Sequence, residues 1–389
     1  MSANTFPDGF LWGTATAAHQ IEGNNTNSDW WRFEQQPGTV LEPSGDACDS
    51  LHRYPEDLDV VADLGLNAYR FSIEWARLEP AEGQFSPAMF AHYRRVIEAC
   101  RARGVVPVVT LHHFTLPQWV ADAGGFEAPQ IVSWMGRYAA RVAKELGSEL
   151  AMACTINEPN IVSLMGYRYG IFPPRVADAA RTHAVNETMR ACHAAMRDAL
   201  KSGPGNYPVG LTLSMTDYQA LPGGEARRDH VRREMEDLYL EAVASDDFLG
   251  VQCYSNTIFD ANGTVSAGPD EELTGMGYRF YPQVVEASLR RAAELVSIPL
   301  VVTENGISTA DDTTRLRYLG AAIAGVERAL RAGLDVRGYF QWSLLDNFEW
   351  VLGYDQQFGI VAVDRATFVR TPKPSAQWFG AVARANALV

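Results

Sequence analysis

The sequence predicts a closed (β/α)8 barrel, the TIM-barrel architecture, running over residues 1–389 as one domain. Three observations carry this expectation. Eight short apolar runs alternate with longer stretches of helical periodicity, the pattern of parallel strands joined by helical crossovers. Eight such repeats suit a closed barrel rather than an open sheet. No Pro/Ser-rich linker, low-complexity stretch or break in composition divides the chain.

The elements follow in order. Residues 10–15 predict the first strand, 55–64 a short helix and 67–72 the second strand. Phe90, Tyr93, Ile97 and Cys100 recur at helical spacing, and Gly104 ends that helix. VVPVVTLHH at 105–113 reads as strand three, 131–146 as a helix closed by Gly147, and 151–156 as strand four. Val185, Met189, Cys192, Met196 and Leu200 line one helix face, which stops at Gly203-Pro204. Strand five is VGLTLS at 209–214, followed by a charged amphipathic helix over 226–244. Strand six is FLGVQCY at 248–254, a helix covers 284–295, and VVTE at 301–304 is strand seven. A stripe of Leu316, Leu319, Ile323, Val326 and Leu330 ends at Gly333; VRGYFQWS at 336–343 is strand eight, and a last helix covers about 375–386. The long connections are 16–54, 159–182, 255–281 and 343–373, and aromatic residues crowd three of them. Long loops on the rim of such a barrel build the ligand pocket.

Composition removes several function classes. The net charge is −14, from 33 basic and 47 acidic residues, which disfavours nucleic acid and anionic membrane surfaces as partners. No apolar run approaches the length of a membrane span. Five scattered cysteines show no metal or redox spacing and read as small core residues of a reducing compartment. The N-terminus MSANTFPDGFLWG lacks the basic and apolar regions of a leader, so a cytoplasmic location is expected.

Two acids stand out by position. VVTENG at 301–306 carries Glu304 to the far end of a strand buried on both faces; TINEP at 155–159 does the same for Glu158. A carboxylate at such a place is costly unless it has a task. In a barrel the C-terminal strand ends share one face, and that face holds the active site. The same ends supply His19, Gln20 and Glu22; Arg70, Glu74 and Trp75; His112 and His113; Asn157; Tyr254; Asn305; and Trp342, with Asp346, Glu349 and Trp350 beyond. Amides, imidazoles and indoles around two carboxylates suit a sugar, whose C–H face stacks on Trp while its hydroxyls are hydrogen-bonded. Two acids flanking one bond are what glycoside hydrolysis requires.

Seven stretches then carry a resemblance: FPDGFLWGTATAAHQIEG (6–23), YRFSIEWARLEP (69–80), TLHHFTLPQW (110–119), TINEP (155–159), VTENG (302–306), GYFQWSLLDNFEW (338–350) and FGIVAVD (358–364). In this order along the chain they resemble the β-glucosidases of glycoside hydrolase family 1. The resemblance implies Glu304 as nucleophile and Glu158 as acid/base. It implies Asn157 on the sugar 2-hydroxyl, Gln20 and His113 near the 3-hydroxyl, and Glu349 across the 4- and 6-hydroxyls. Trp350 is its neighbour on the 3-hydroxyl and Trp342 the stacking platform, with Arg70 and Tyr254 positioning the nucleophile. Arg70 is expected to lower the pKa of Glu304, whose charge raises that of Glu158. The implied reaction is retaining, with the carboxyl groups about 5–5.5 Å apart. No cofactor and no metal are implied, and the partner is a small β-glycoside: glucose first, then galactose or fucose. The rivals are a dedicated transglycosidase and a non-hydrolytic sugar-binding barrel.

The remaining polar residues have plainer readings. His112 and His113 point to opposite sides of a strand, so they do not face one metal ion; His112 packs behind the wall. Glu74 and Trp75 fit a structural ion pair and rim packing as well as the pocket. Trp30 and Trp31 read as rim packing, Asp346 and Asn347 as ordering the loop that presents Glu349, His19 and Glu22 as supports for Gln20, and Cys253 as a core thiol. The chain departs from the family pattern in QCY at 252–254, in Phe114 where Trp is usual, and in its shorter length. These departures bear on sugar specificity and the leaving-group side.

Overall fold

The computed structural model describes residues 5–389; residues 1–4, the start of the stretch read for a leader, lie outside them. Eight strands form the barrel: β1 (Leu11–Ala15), β2 (Ala68–Ser72), β3 (Val106–His112), β4 (Met152–Asn157), β5 (Val209–Ser214), β6 (Phe248–Gln252), β7 (Leu300–Asn305) and β8 (Val336–Trp342). Each pairs in parallel with its sequence neighbour, and β8 returns to β1 with Leu11 opposite Gly338 and Ala15 opposite Trp342. Both faces of these strands are covered, which explains their unbroken apolar runs.

Two cores result. Ala15, Val108, Cys154, Phe248, Val301 and Phe340 fill the barrel interior. A larger core lies between the barrel and its helices, with Trp134, Met135, Tyr138 and Val142 of Ile131–Leu146 and Met189, Cys192 and Met196 of Ala179–Ser202 among its members. Interior packing demands small residues beside large ones. A Cβ at Gly13 would lie 2.5 Å from the Phe340 ring, and one at Gly250 would lie 2.5 Å from the Thr212 methyl.

Three segments differ from expectation. The helix expected over 226–244 is divided into Glu225–Arg232, a widened π-helical turn Arg233–Asp237, and Leu238–Ala242. Within the turn Glu236 is buried, and its Oε1 accepts the Thr216 N–H at 3.0 Å. A parallel ribbon of Asp217–Ala220 with Asn256–Phe259 was not expected from the sequence; it prolongs β5 and β6 beyond the rim, and the second half lies in the 255–281 connection. The helix Ser50–Asp63 starts before Pro55, which lies inside it.

Candidate active site

Glu304 is the fifth residue of β7, and Glu158 directly follows β4. Strands β5 and β6 lie between, so closure of the barrel turns both acids toward its mouth. Both are buried, at 3% and 8% exposure. Glu158 has a left-handed backbone, φ 45°, as do Phe114 at 69° and Trp350 at 53°. Non-glycine residues rarely hold that conformation, and they cluster at functional sites. All three line one cavity.

Arg70, fully buried on β2, donates from Nη1 to Glu304 Oε1 at 2.5 Å. The Tyr254 hydroxyl donates to Glu304 Oε2 at 2.6 Å. Arg70 Nη2 reaches Asn157 Oδ1, also at 2.5 Å, and Gln252 Nε2 donates to the same oxygen at 2.9 Å. With its carbonyl oxygen occupied, Asn157 has a buried Nδ2 without a protein partner, a donor free for a ligand. Gln20 Nε2 donates to Phe348 O at 2.8 Å, Asn347 Oδ1 at 3.2 Å and Glu349 Oε2 at 3.4 Å, which fixes the loop after β8 against β1. His113 lies nearly parallel to Trp342 and Trp350, with ring centroids 5.9 Å and 6.1 Å away.

Burial sets the protonation pattern. It raises the pKa of Glu158 well above the usual carboxylate range, and the charge on Glu304 raises it further. Burial also raises Glu304, against the pull of Arg70 and of hydrogen bonds from Tyr254, Arg70 and Gln252. The lowering expected from Arg70 is therefore outweighed by desolvation. The order of the two acids follows from their partners: the cation and the phenol act directly on Glu304, so Glu158 holds its proton more tightly. Glu349 is pushed up to about 8, by burial and then by Glu304. Burial, then Arg70 and His112, hold His113 well below its usual value, so it is neutral.

A cavity of about 420 Å³ sits above the acids, with His113, Trp342, Glu349 and Trp350 in its wall. A larger one, about 570 Å³, opens at the opposite end of the barrel among Leu11, Val106, Met152 and Val301, away from every acid named above. Strand-end chemistry, not size, selects the first.

A family model described as "Glycosyl hydrolase family 1" matches residues 2–262 and 237–388. The chain belongs to glycosyl hydrolase family 1. Among the curated members of the family, "Beta-glucosidase A" of Thermotoga maritima is 33% identical, covering 100% of both chains. "Thermostable beta-glucosidase B" of Thermobispora bispora is 35% identical over 99% of this chain and 92% of its own. The crystal structure of "beta-glycosidase BGL167" superposes with a TM-score of 0.93 at 44% identity, covering 99% of this chain and 98% of that one. A Thermotoga maritima β-glucosidase in complex with glucoimidazole gives 0.93 at 29% identity, covering 99% and 100%. The alignment with Beta-glucosidase A extends over 445 positions against 389 residues here, so that relative carries residues with no counterpart in this family 1 chain.

The other strand-end residues lie behind the cavity. His19 stacks on Trp350 at 5.6 Å and supports it, while Trp30 packs against the same indole at 4.5 Å. Glu22 pairs with Arg77 at 2.9 Å and accepts from Tyr93. Glu74 accepts from Thr115, and Trp75 stacks on Tyr138 at 4.9 Å, so both are structural. Asp346 pairs with Lys373 at 2.7 Å. His112 packs edge-on against Phe126. All five cysteines are free and buried, and Cys253 is pushed up to about 12, unsuited to a nucleophile. Among the described residues no three His, Cys, Asp or Glu side chains gather as a metal site would need. The sequence assigned no site role to Ser214, which lines the cavity, or to Thr212, and marked Gln252 only as a departure from the family pattern; Thr212 Oγ1 lies 3.3 Å from both Asn157 Oδ1 and Arg70 Nη2. Their signal was polarity inside the apolar runs FLGVQC and VGLTLS.

Proposed function

We propose that the chain is a retaining β-glycosidase that removes terminal β-linked glucose, with Glu304 as nucleophile and Glu158 as acid/base. The observation that carries the reading is the asymmetry of two buried acids: Arg70 and Tyr254 hold Glu304, while burial and the Glu304 charge keep Glu158 protonated. In the first step a Glu304 oxygen attacks the anomeric carbon. The bond to the leaving oxygen breaks as Glu158 gives that oxygen its proton. Esterification removes the negative charge at Glu304, so Glu158 becomes the stronger acid and ionises. In the second step Glu158 takes a proton from water, the hydroxide oxygen bonds to the anomeric carbon, and Glu304 leaves as carboxylate. An alcohol in place of water gives transglycosylation. Asn157 Nδ2, Gln20 Oε1 and His113 Nδ1 are buried polar atoms without a protein partner and, with the Glu349 carboxyl, are available to sugar hydroxyls; Trp342 is the stacking face.

The names of the relatives support glucose as the sugar removed. Five free thiols support a reducing, cytoplasmic setting. Among the described residues no helix is long and apolar enough to cross a membrane.

The test is trapping with a 2-deoxy-2-fluoro-β-glucoside bearing a dinitrophenolate leaving group, followed by peptide mapping and NMR of the first-formed product from an ordinary substrate. Label on Glu304 and a β-anomeric product are expected. Label on another residue, or an α-anomer formed first, overturns the assignment.

A further inference from the structure

The cavity has two unlike halves. Its floor holds Glu158, Glu304, Glu349 and His113, the charged or titratable imidazole and carboxyl groups that line it, and Tyr254 and Ser214 are hydrogen-bonded to two of the acids. Above them a collar is formed by Leu164, Met165 and Ile171 from the connection after β4, Met276 from that after β6, and Val351 and Leu352 from that after β8. Among the described residues of this collar the Tyr278 hydroxyl is the one polar side-chain group. Ile171 is 42% exposed and Tyr278 43%, so apolar surface continues to the outer lip. Three separate connections thus converge on one chemistry.

Such a collar discriminates between leaving groups. A second sugar carries several hydroxyls, each of which gives up water on entry; each one left unpaired weakens binding by about tenfold. An alkyl or aryl group loses nothing polar, and each methylene removed from water strengthens binding by about fourfold. Resting on the glucosidase reading, we propose that the leaving-group side of this enzyme is built for apolar aglycones, alkyl chains or aromatic rings, and selects against a second sugar.

The test compares methyl, n-butyl and n-octyl β-glucosides below their micelle concentrations with cellobiose. The three alkanols are leaving groups of nearly equal acidity, so differences among them report the collar rather than the bond, and the more acidic sugar hydroxyl released from cellobiose biases the comparison against the proposal. The value of kcat/KM is expected to rise at least about tenfold from methyl to octyl, with cellobiose no better than methyl. Ile171→Asn and Met165→Gln are expected to bring the octyl-to-methyl ratio toward one. An octyl rate equal to methyl, or cellobiose well above octyl, overturns the proposal. If the folded enzyme cleaves none of the glucosides, the glucosidase reading fails by itself. Titration with methyl and octyl 1-thio-β-glucosides then judges the collar: tighter octyl binding supports it, and equal binding overturns it.

Discussion

Arg70 has no exposed surface and spans two functional side chains, one on β7 and one on β4. Removing one member of such a buried pair leaves the other charge uncompensated, at about 3–5 kcal/mol. Arg70→Met is therefore expected to lower stability by that amount and to abolish turnover, as judged by denaturant melts and glucoside assays. Glu304→Ala removes the proposed nucleophile and leaves Arg70 without its carboxylate; kcat is expected to fall by about 10⁴-fold or more, with the protein less stable but folded by circular dichroism at assay temperature. Gln252 acts differently. Its amide fixes the orientation of Asn157, so Gln252→Leu is expected to lower kcat by about tenfold, the scale of losing one oriented hydrogen bond, with a smaller change in KM. At this scale the sequence was informative for most polar residues at strand ends, though not for Ser214, which closes β5 and lines the cavity. Glu158 and Glu304 stood out because an acid closing an apolar run has few other uses, whereas the positions of Arg70 and Tyr254 beside Glu304 were expected only from the family resemblance. Thr212 was not, and Gln252 was marked only as a departure, because their partners Asn157, Arg70 and Glu304 lie on other strands and no local pattern records them.

Strands and helices depend on spacing. The eight barrel strands were legible from their apolar runs, and the longer helices from their stripes, since covered surfaces impose those periods. The ribbon Asp217–Ala220 with Asn256–Phe259 was not: four residues of mixed polarity carry no period, and the pairing exists only because β5 and β6 continue upward side by side. The π-helical turn Arg233–Asp237 was hidden for a similar reason, as one extra residue in a turn leaves composition unchanged. Between β5, β6 and β7 the fit is close. Gly250 faces Thr212 and Thr303, and an added methyl would meet them at 2.5 and 2.7 Å. Gly250→Ala is expected to destabilise the protein by about 1–3 kcal/mol through overpacking. It is also expected to lower activity, because the displaced Thr212 contacts Asn157; melting temperature and kcat read the two effects.

Over the whole molecule, burial has produced several acids that resist ionisation. Glu349 is raised to about 8, and Asp29 and Glu236 to about 7. A carboxyl raised in the folded state binds more protons folded than unfolded, so stability falls as pH climbs through that interval. From these three groups the melting temperature is expected to decline between about pH 4.5 and 8, opposing any gain from lowered surface acids. Glu349→Gln is expected to lessen that decline while costing sugar binding, and thermal melts across pH decide it. With the proposed roles of Glu304 and Glu158, the acidic limb of the rate profile is expected to report Glu304 losing its proton and the basic limb Glu158. Glu158→Gln is expected to flatten the basic limb for a nitrophenyl glucoside.

The spacing of the two acids is inherited from a hoop of eight strands, each hydrogen-bonded to both neighbours, and not from the connections above it. A connection can be shortened, lengthened or exchanged while the hoop, and the reaction with it, stays as it was. An engineer wanting a different leaving group can therefore graft the segments after β4, β6 and β8 and leave the acids alone.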